Sequence, residues 1–389
     1  MVEVGKFSYS GDLPASKSLM NRALILKSFK EFKINGSSRC DDVFAMKKAL
    51  ESLSKTEKVF DCGEGGTTFR FLLARLSRLQ GEFKIKATPR LLSRPHDSLY
   101  SALNSFGAEI KVSDNSVTLK SDGWKQVSLE MSLEKSTQFV SAILLSAWDL
   151  EFDLNIRLDQ PFEKTSYLSM TIELLKSVGM NIVVDGLNIN VPKKQILKVD
   201  ELNVEADMSS MFALVAIALK CGELKVTNYP EHSLQPDQNF IEILSLLGAQ
   251  FKIEQSTLKV NKTDNLKPIS FNIYNCPDLF PVLSVLLASV PGESKISGLS
   301  KLVHKESNRL LNTQNLLNLL GVKNRNENDE FLIFGSDEWN LNLIQEFDVD
   351  QDHRMLMAAT LANKLGAGLI VSDPNVVNKS FPEFWEIVQ

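Results

Sequence analysis

Residues 13–23 read Leu-Pro-Ala-Ser-Lys-Ser-Leu-Met-Asn-Arg-Ala, and the apolar run Ala-Leu-Ile-Leu begins at the last of them. Ser16 is placed to cap the first turn of a buried helix. Lys17 and Arg22 add two cations at a helix start, which already offers unpaired N–H groups and a positive dipole end. This combination suits a phosphate or a carboxylate. For one such stretch alone, however, a capped helix with solvated cations is the simpler interpretation.

The pattern of this stretch recurs along the chain. A small or polar segment leads into an apolar helical run, a turn and a short strand, and the runs begin near Lys17, Thr67, Thr137, Ser210, Leu279 and His353. The intervals between these starts are 50, 70, 73, 69 and 74 residues. Because a period of this length is too long for a simple solenoid, six units predict two domains of three units each.

A second helix is predicted in each unit, before a pair of strands. In four units it ends at a glycine, namely Gly107, Gly179, Gly248 and Gly321. Glycine ends helices well because it adopts the left-handed conformation without strain. Each unit therefore predicts the order strand–helix–strand–helix–strand–strand, in a shorter form for the first unit. The break between the two domains is expected in the polar segment 192–206.

Composition restricts the class of protein. The chain has 389 residues, 43% of them apolar and 23% charged, with a formal net charge of −5. A negative net charge argues against a broad nucleic-acid-binding surface. The N-terminal residues 1–7 contain no signal core, and no apolar run is long enough to cross a membrane. We therefore expect a cytoplasmic protein without a membrane or nucleic-acid partner.

The cysteines and histidines do not predict a metal or disulfide site. The four cysteines lack any C-x-x-C spacing, which favours a reducing compartment. His304 and His353 have no companions at metal-ligand spacing, so a hydrogen-bonding or capping role is expected for them.

Polar residues at the helix starts are the first candidates for a site. If the units are pseudo-symmetric, the six helix starts occupy equivalent places and point at one cleft between the domains. The glycine-rich segment 63–70 enters one of these helices, although for this segment alone a tight turn is the better explanation. Further candidates lie away from the helix starts, and a solvated charge is the alternative for each: Arg90, Arg94, Lys301, Lys305, Glu306, Arg309 and Lys379. Glu306 and Arg309 could equally form a helical ion pair.

Eight short motifs occur in order from residue 16 to residue 382. They are S-K-S-x-x-N-R-A, G-x-x-G-T-T-x-R, R-P, S-T-Q-F, P-D, H-K-E-S-x-R-L, D-H-R-M and D-P-x-x-x-x-K-S-F-P. Each motif alone is weak, but the ordered set resembles the 5-enolpyruvylshikimate-3-phosphate synthase family over nearly the whole chain.

The resemblance implies a fold. Members of this family are two-domain α/β proteins forming an inside-out α/β barrel, with six βαβαββ repeats, three per domain. This agrees with the sixfold pattern found from the sequence itself. Residues 14–204 would form the N-terminal domain. Residues 1–13 and 205–389 would form the C-terminal domain, with the active site in the cleft between the two.

The resemblance also implies a reaction. Phosphoenolpyruvate would donate its enolpyruvyl group to the 5-hydroxyl of shikimate 3-phosphate, with release of phosphate. Both substrates are multiply anionic, which would explain the dense cations. By matching motif, shikimate 3-phosphate would be bound by Lys17, Ser18, Arg22, Ser136, Thr137, Gln138, Tyr167, Asp278 and Lys305.

The second substrate would be bound by a partly overlapping set. By matching motif, phosphoenolpyruvate would be held by Lys17, Gly66, Arg94, Gln138, Arg309, Arg354 and Lys379. Arginine can grip a carboxylate or phosphate with two hydrogen bonds at once. Asp278 would act as base for the 5-hydroxyl, with Glu306 and Lys17 moving protons near phosphoenolpyruvate. No metal or organic cofactor would be required, and we expect a monomer.

The chain departs from the family pattern at several positions. Glu64 stands where many members have Asn, and Lys301 takes a position that is often Asn. Thr137 replaces a Ser and keeps the hydroxyl. In the segment 164–167 only Tyr167 transfers from the motif.

Two alternatives remain beside this function. One is a catalytically degenerate paralogue that binds a phosphorylated ligand without turnover. The joint presence of the catalytic and cationic residues named above argues against it. The other is the sister enolpyruvyl transferase acting on UDP-N-acetylglucosamine. That family typically has a loop Cys near the R-P motif and a Lys-Asn pair at the first helix, whereas this chain has Ser93 in that loop and Lys17-Ser18.

Overall fold

The computed structural model describes residues 5–164, 166–337, 339 and 344–389. The first four residues of the N-terminal stretch 1–7 and Thr165 of the segment 164–167 lie outside this description. The described residues form two compact units. The amino-terminal unit is Ala15–Val204. The carboxy-terminal unit consists of the described residues up to Pro14 together with Glu205–Gln389.

Strands and helices alternate along most of the described chain, which gives a mixed α/β fold as predicted. The strands are β1 (Phe7–Gly11), β2 (Lys33–Asn35), β3 (Val59–Asp61), β4 (Gln80–Lys86), β5 (Glu109–Ser113), β6 (Ser116–Asp122), β7 (Ser128–Met131), β8 (Leu154–Leu158), β9 (Val183–Asp185), β10 (Asn188–Val191), β11 (Glu201–Asn203), β12 (Gly222–Val226), β13 (Phe251–Glu254), β14 (Thr257–Asn261), β15 (Ser270–Asn272), β16 (Gly292–Ser297), β17 (Asn324–Glu327), β18 (Glu330–Gly335), β19 (Gln345–Phe347) and β20 (Leu369–Val371).

The helices are α1 (Lys17–Lys27), α2 (Asp41–Ser54), α3 (Gly66–Leu76), α4 (Pro89–Leu92), α5 (Asp97–Ser105), α6 (Gln138–Leu145), α7 (Tyr167–Ser177), α8 (Met208–Cys221), α9 (Phe240–Leu247), α10 (Phe280–Ala288), α11 (Arg309–Leu319), α12 (His353–Lys364) and α13 (Phe384–Val388). Short 3₁₀ turns occur at Pro236–Asn239, Pro277–Leu279, Leu302–His304 and Pro374–Lys379.

Four sheets share one strand order. In each, two parallel strands are followed by two antiparallel ones, and the orders are β1-β12-β14-β13, β3-β4-β6-β5, β7-β8-β10-β9 and β15-β16-β18-β17. A helix connects the parallel strands where the chain runs directly from one to the next, because a parallel pair needs a crossover. Two further sheets in the described chain have only two parallel strands, β11-β2 and β19-β20.

Glycine ends the second helix of these segments, as the sequence predicts. Gly107, Gly179, Gly248 and Gly321 have φ values of 98°, 99°, 70° and 69°. In each case the left-handed residue stops the helix and the chain enters a hairpin such as β5-β6 or β9-β10.

Each unit receives one strand from a distant part of the chain. In the carboxy-terminal unit β1 pairs in parallel with β12, and Phe7 lies opposite Gly222. A Cβ atom on Gly222 would lie 1.9 Å from the Phe7 carbonyl oxygen, so only glycine fits there. In the amino-terminal unit β11 pairs with β2. Gly36 plays the matching role, because its Cβ would lie 2.6 Å from the Val204 carbonyl oxygen.

The first helix of several repeats is buried on all sides. Every residue of α3 and of α10 is buried, and α8 has only Lys220 partly exposed. Such helices lie in a protein interior, because they have no polar face to present to water. Within their own units α3 packs against α1 and α6, and α10 packs against α8 and α12. Strands such as β8 alternate between buried and exposed residues, as expected for sheets with one face on a core.

Among the described residues, no helix combines the length and the apolar character needed to cross a bilayer.

Candidate active site

Each unit has its own group of polar side chains at the starts of several of its helices. In the amino-terminal unit, α1 begins at Lys17. The Ser16 hydroxyl accepts a hydrogen bond from the Leu19 N–H at 3.4 Å, which confirms the predicted cap.

Lys17 is an ion-paired residue in this unit. Its Nζ lies 3.0 Å from Asp42 Oδ2, and both side chains are 12% exposed. The Asp42 backbone carbonyl in turn accepts a hydrogen bond from Thr68 in the first turn of α3. Asp42 thus connects the starts of α1 and α3. The interpretation of Lys17 as a solvated cation is therefore wrong.

Arg22 links α1 to α7. Its guanidinium is 2% exposed and stacks over Phe71, with 5.0 Å from Cζ to the ring centroid. Nε donates to Thr171 Oγ1 at 2.8 Å, and Nη1 donates to the Ser18 carbonyl at 2.8 Å. Nη2 lies 3.5 Å from the Tyr167 carbonyl. Burial lowers the pKa of Arg22 to about 9. Arg22 therefore connects the first turns of α1 and α7 through the backbone carbonyls of two predicted ligands, Ser18 and Tyr167.

Gly66 begins α3 beside two guanidinium groups. A Cβ atom on Gly66 would lie 2.8 Å from Arg94 Nη1 and 3.5 Å from Arg70 Nη1. The favoured tight turn is confirmed at residues 63 and 64, and so is the entry into a helix, since Gly65 is the N-cap residue of α3. Because glycine has no side chain, the two guanidinium groups can lie close to the backbone N–H groups in the first turn of α3. This arrangement suits an anion.

Gln138 begins α6 and joins this group. Its Oε1 accepts a hydrogen bond from Arg70 Nη1 at 2.7 Å, and its Nε2 donates to Thr67 Oγ1 at 3.2 Å. Its backbone N–H donates to Ser136 Oγ at 3.2 Å. Thr137 occupies the N-cap position of α6, half-buried and without a side-chain capping bond. Arg70 thus lies beside Gly66 and bonds Gln138, and Gln138 in turn bonds Ser136.

The second group lies in the carboxy-terminal unit around Arg309, at the start of α11. This side chain is 1% exposed and contacts three carboxylates. The distances are 2.8 Å from Nε to Asp352 Oδ2, 2.7 Å from Nη1 to Asp278 Oδ1 and 2.8 Å from Nη2 to Glu306 Oε2. The ion pair of Glu306 with Arg309 is confirmed, as one part of this larger cluster, but it is not a helical pair, because Glu306 lies before the start of α11.

Asp278 is the carboxylate that two cations share. Lys305 Nζ lies 3.3 Å from its Oδ1, in addition to Arg309. Burial alone would raise the pKa of Asp278, but Lys305 and Arg309 outweigh burial and hold it well below the usual range. For Arg309, burial is likewise outweighed, because Asp352, Asp278 and Glu306 raise its pKa well above the usual value.

Lys301 lies near Lys305 but contacts an aromatic ring. Its Nζ is 3.6 Å from the Tyr274 ring centroid, a cation–π contact. Burial and the neighbouring Lys305 lower the pKa of Lys301 to about 8.

Arg354 and Lys379 are both anchored around the start of α12. Arg354 is 2% exposed, and its Nη2 donates a short hydrogen bond to Ser209 Oγ. Lys379 Nζ donates to the Gln351 carbonyl at 2.9 Å. Gln351 and the residue before it have φ values of 51° and 48°, a left-handed pair that is rare outside glycine. Asp352 then caps α12 by accepting from the Arg354 N–H at 2.9 Å.

Several residues that hold the predicted ligands in place have no assignment from the sequence. Asp42, Arg70, His96, Thr171, Ser209 and Asp352 were not assigned as site residues, yet each contacts a predicted one or holds a residue that does. Arg70 could have been found, because it closes the G-x-x-G-T-T-x-R motif, and Asp352 could have been found from its helix-start position. Thr171 gave no signal, since it lies 149 residues from Arg22.

No group of three or more His, Cys, Asp and Glu side chains among the described residues has an arrangement that could hold a metal ion.

Comparison with known proteins shows what the chain is similar to. A family model described as EPSP synthase (3-phosphoshikimate 1-carboxyvinyltransferase) matches residues 48–388. A 3-phosphoshikimate 1-carboxyvinyltransferase from Syntrophobacter fumaroxidans is 30% identical over 402 residues, covering 96% of this chain and 95% of the relative. One from Dehalococcoides mccartyi is 29% identical, covering 96% and 93%.

Two solved structures share the fold. EPSP synthase from Acinetobacter baumannii superposes with a TM-score of 0.77 at 20% identity, covering 99% of this chain and 96% of that one. The enolpyruvyl transferase NikO from Streptomyces tendae superposes with a TM-score of 0.76 at 12% identity, covering 100% and 95%. At these identities the likeness concerns the fold alone.

Proposed function

Because the chain belongs to the EPSP synthase family, we propose that it transfers the enolpyruvyl group of phosphoenolpyruvate to the 5-hydroxyl of shikimate 3-phosphate, with release of phosphate. The observation that carries this proposal is the family match over residues 48–388. Relatives of nearly the same length support it. The shared fold alone would not decide the acceptor, since the enolpyruvyl transferase NikO superposes about equally well.

The proposed architecture follows the family. The two compact units would be the two domains, and each would be one half of an inside-out α/β barrel with three repeats. The fully buried first helices and the repeated sheet order support this assignment. The enzyme would act as a monomer in the cytoplasm and without a cofactor.

The amino-terminal unit would supply most of the contacts to shikimate 3-phosphate. Ser18 and Tyr167 are placed by Arg22, so this buried cation would orient two ligands and add positive charge near the phosphate. Ser136, Thr137 and Gln138 would contribute the hydroxyl, amide and N–H groups of the α6 start. Lys17 would contact both substrates, with its ammonium held by Asp42.

Residues of both units would bind phosphoenolpyruvate. Gly66, Arg94 and Gln138 form one anion-binding group in the amino-terminal unit. Arg309, Arg354 and Lys379 would contribute cations from the carboxy-terminal unit. Since three donors of Arg309 are engaged by carboxylates, we propose that it acts on the anion mainly through its charge and through the placement of Asp278 and Glu306.

Asp278 would be the base for the 5-hydroxyl. The hydroxyl oxygen attacks C2 of phosphoenolpyruvate while C3 takes up a proton, giving a tetrahedral intermediate. That intermediate then loses a proton from the new methyl group and expels phosphate. Asp278 is ionised before the substrates bind, as a base must be. Its low pKa makes it weak, but substrate anions beside Lys305 and Arg309 would offset their charge and raise it.

Glu306 and Lys17 would carry the protons to and from C3. Glu306 is held by Arg309 Nη2, which fixes its direction. Lys17 is held by Asp42. Each has a partner of opposite charge, so neutralising Lys17 leaves the negative charge of Asp42, and neutralising Glu306 leaves the positive charge of Arg309. The charges of the bound substrates and of the other carboxylates around Arg309 would have to balance these changes.

The test is an assay of phosphate release. The purified chain should release phosphate when given both shikimate 3-phosphate and phosphoenolpyruvate, and not when either is omitted. Lys305→Ala should lose this activity, whereas Lys295→Ala should keep it, because Lys295 belongs to an exposed pair with Glu330. If activity is lost in the first variant and kept in the second, the phosphate release does not come from a contaminating host enzyme.

Two outcomes would contradict the proposal. Release of phosphate only with UDP-N-acetylglucosamine as acceptor would identify the sister transferase. Tight binding of shikimate 3-phosphate without any release would identify a degenerate paralogue.

A further inference from the structure

His96 occupies the N-cap position of α5 but does not cap it. The preferred residues at this position are Ser, Thr, Asp and Asn, whose side chains accept from the first N–H groups of the helix. The His96 side chain makes no such bond. It turns into the interior, where it is 2% exposed, and its Nε2 donates to the Leu91 carbonyl at 2.9 Å. The residue at this N-cap position therefore makes a tertiary hydrogen bond in place of the usual side-chain cap.

The Leu91 carbonyl is also the hydrogen-bond acceptor of the Arg94 backbone. The Arg94 backbone N–H donates to the same oxygen at 3.2 Å. His96 and Arg94 are therefore bound to one acceptor, and the imidazole fixes the turn from which the Arg94 side chain reaches Gly66.

On its other side, His96 contacts Arg70. The Arg70 Nε–H donates to His96 Nδ1 at 3.4 Å, and Nη2 donates to the Pro95 carbonyl at 3.4 Å. Nη1 then donates to Gln138 Oε1 at 2.7 Å. Because the guanidinium is planar, fixing Nε and Nη2 also fixes the direction of Nη1 and with it the Gln138 side chain.

These contacts require one state of the imidazole. Nδ1 must carry a lone pair to accept from Arg70, so the proton lies on Nε2 and the ring is neutral. Burial, followed by the nearby charges of Arg70 and Arg94, lowers the pKa of His96 to about 3, which agrees with this state.

We propose that His96 is a positioning residue whose neutral imidazole joins the 91–95 turn to Arg70 and thereby places Arg94 and Gln138 for phosphoenolpyruvate. This inference rests on the proposed function of that site. His96 itself touches no substrate; it acts through the two residues that do.

Aromatic packing alone would not need a histidine. The ring lies against Phe69 and Tyr100, with centroid distances of 4.9 Å and 5.6 Å. Phenylalanine would fill the same space but would leave the Arg70 Nε–H without its acceptor in a buried place. The variant His96→Phe therefore separates packing from positioning.

The experiment compares three variants in steady-state kinetics. His96→Phe should raise the KM for phosphoenolpyruvate about tenfold, as loss of a buried hydrogen bond does, with the KM for shikimate 3-phosphate unchanged within about twofold. His96→Gln should restore part of the loss, since its amide can donate to the Leu91 carbonyl. Tyr100→Phe is the matched control, because it changes the same ring stack and removes a buried hydroxyl that has no hydrogen-bond partner among the described residues. Its KM values for both substrates should equal those of the unaltered protein.

A wild-type KM for phosphoenolpyruvate in His96→Phe would overturn the proposal. So would an equal rise in both KM values. If His96→Phe does not fold, ¹⁵N NMR of the unaltered protein provides the test, where a charged ring or a proton on Nδ1 overturns the proposal.

The same spectra distinguish this inference from the proposed function. Absence of phosphate release by the unaltered protein is a failure of the function alone. In that case the Gln138 amide and Arg94 Nε signals must still shift in His96→Phe and not in Tyr100→Phe, and unshifted signals overturn the role of His96.

Discussion

Arg309 and Asp352 form an enclosed ion pair in the carboxy-terminal unit, with 2.8 Å between Nε and Oδ2 and exposures of 1% and 0%. Asp352 also accepts from Ser307 Oγ and caps α12 through Arg354. One carboxylate therefore holds two predicted phosphoenolpyruvate ligands, Arg309 through its side chain and Arg354 through its backbone.

Asp352→Asn should destabilise the carboxy-terminal unit. The amide keeps the shape and the capping oxygen but leaves Arg309 with one less negative charge in the interior. Removing one partner of a buried pair costs about 3 kcal/mol in the free energy of unfolding. Urea denaturation measures this. The matched control is Asp264→Asn, in an exposed pair with Lys262, which should change it by less than about 0.5 kcal/mol. Equal losses in both variants would show that the Asp352 pair contributes no more than a surface contact.

Asp278→Ala should separate binding from turnover. We expect shikimate 3-phosphate to bind within about tenfold of its normal affinity, while turnover falls by roughly 10²–10⁴, as loss of a general base implies. Calorimetry and the phosphate-release assay measure the two quantities. Unchanged turnover would exclude Asp278 as the base. Because Lys305 and Arg309 lower the pKa of Asp278, it remains ionised as the pH falls through the usual carboxyl range. Its protonation should therefore cause no decline of kcat/KM between pH 7 and 5.

Thr171→Val should weaken the binding of shikimate 3-phosphate through Arg22. The substitution keeps the volume but removes the hydroxyl that accepts from Arg22 Nε and donates to Ser141. The KM for shikimate 3-phosphate should rise about tenfold, since a buried charge-assisted bond is lost. Thr360→Val is the control, because that buried hydroxyl donates to the Leu356 carbonyl of its own helix and has no other partner in the described part of the chain. The prediction is wrong if both variants bind the substrate equally well.

His96 should make stability depend on pH. The ordinary pKa of histidine is 6.5, and burial lowers that of His96 to about 3. Between these values the unfolded chain binds a proton that the folded chain does not, so stability falls as the pH drops below 6.5. At pH 5 this amounts to about 2 kcal/mol relative to pH 7.5. Denaturation of the unaltered protein and of His96→Phe at both pH values measures it, because the other histidines are common to the two proteins. Identical pH slopes would contradict the buried neutral state.

Local features of the fold were predictable from sequence, whereas the partners within the site were not. The cap at Ser16 and the helix-ending Gly107 depend on residues a few positions apart, and both predictions are confirmed. The membership in the family is confirmed as well, since ordered motifs carry that information.

The pairing of the cations depends on distant segments. Lys17 looks like a surface lysine in sequence, and only the folded chain brings Asp42 to it. His96 carried no assignment, because nothing near it in sequence shows that α3 will present Arg70 to its ring. Such contacts arise when elements far apart in the chain pack together, so composition and spacing do not reveal them.

The pairing of β1 with β12 has a consequence for synthesis on the ribosome. Ser8 on β1 bonds Glu223, which emerges 215 residues later, whereas Asn35 bonds Glu201 after only 166 residues. The amino-terminal unit can therefore close first, while the nascent β1 waits unpaired with an open edge. A gene divided between residues 204 and 205 would leave β12 without its neighbour. A gene in which the codons of β1 are placed directly before residue 205 would encode β12 and its neighbouring strand in one chain.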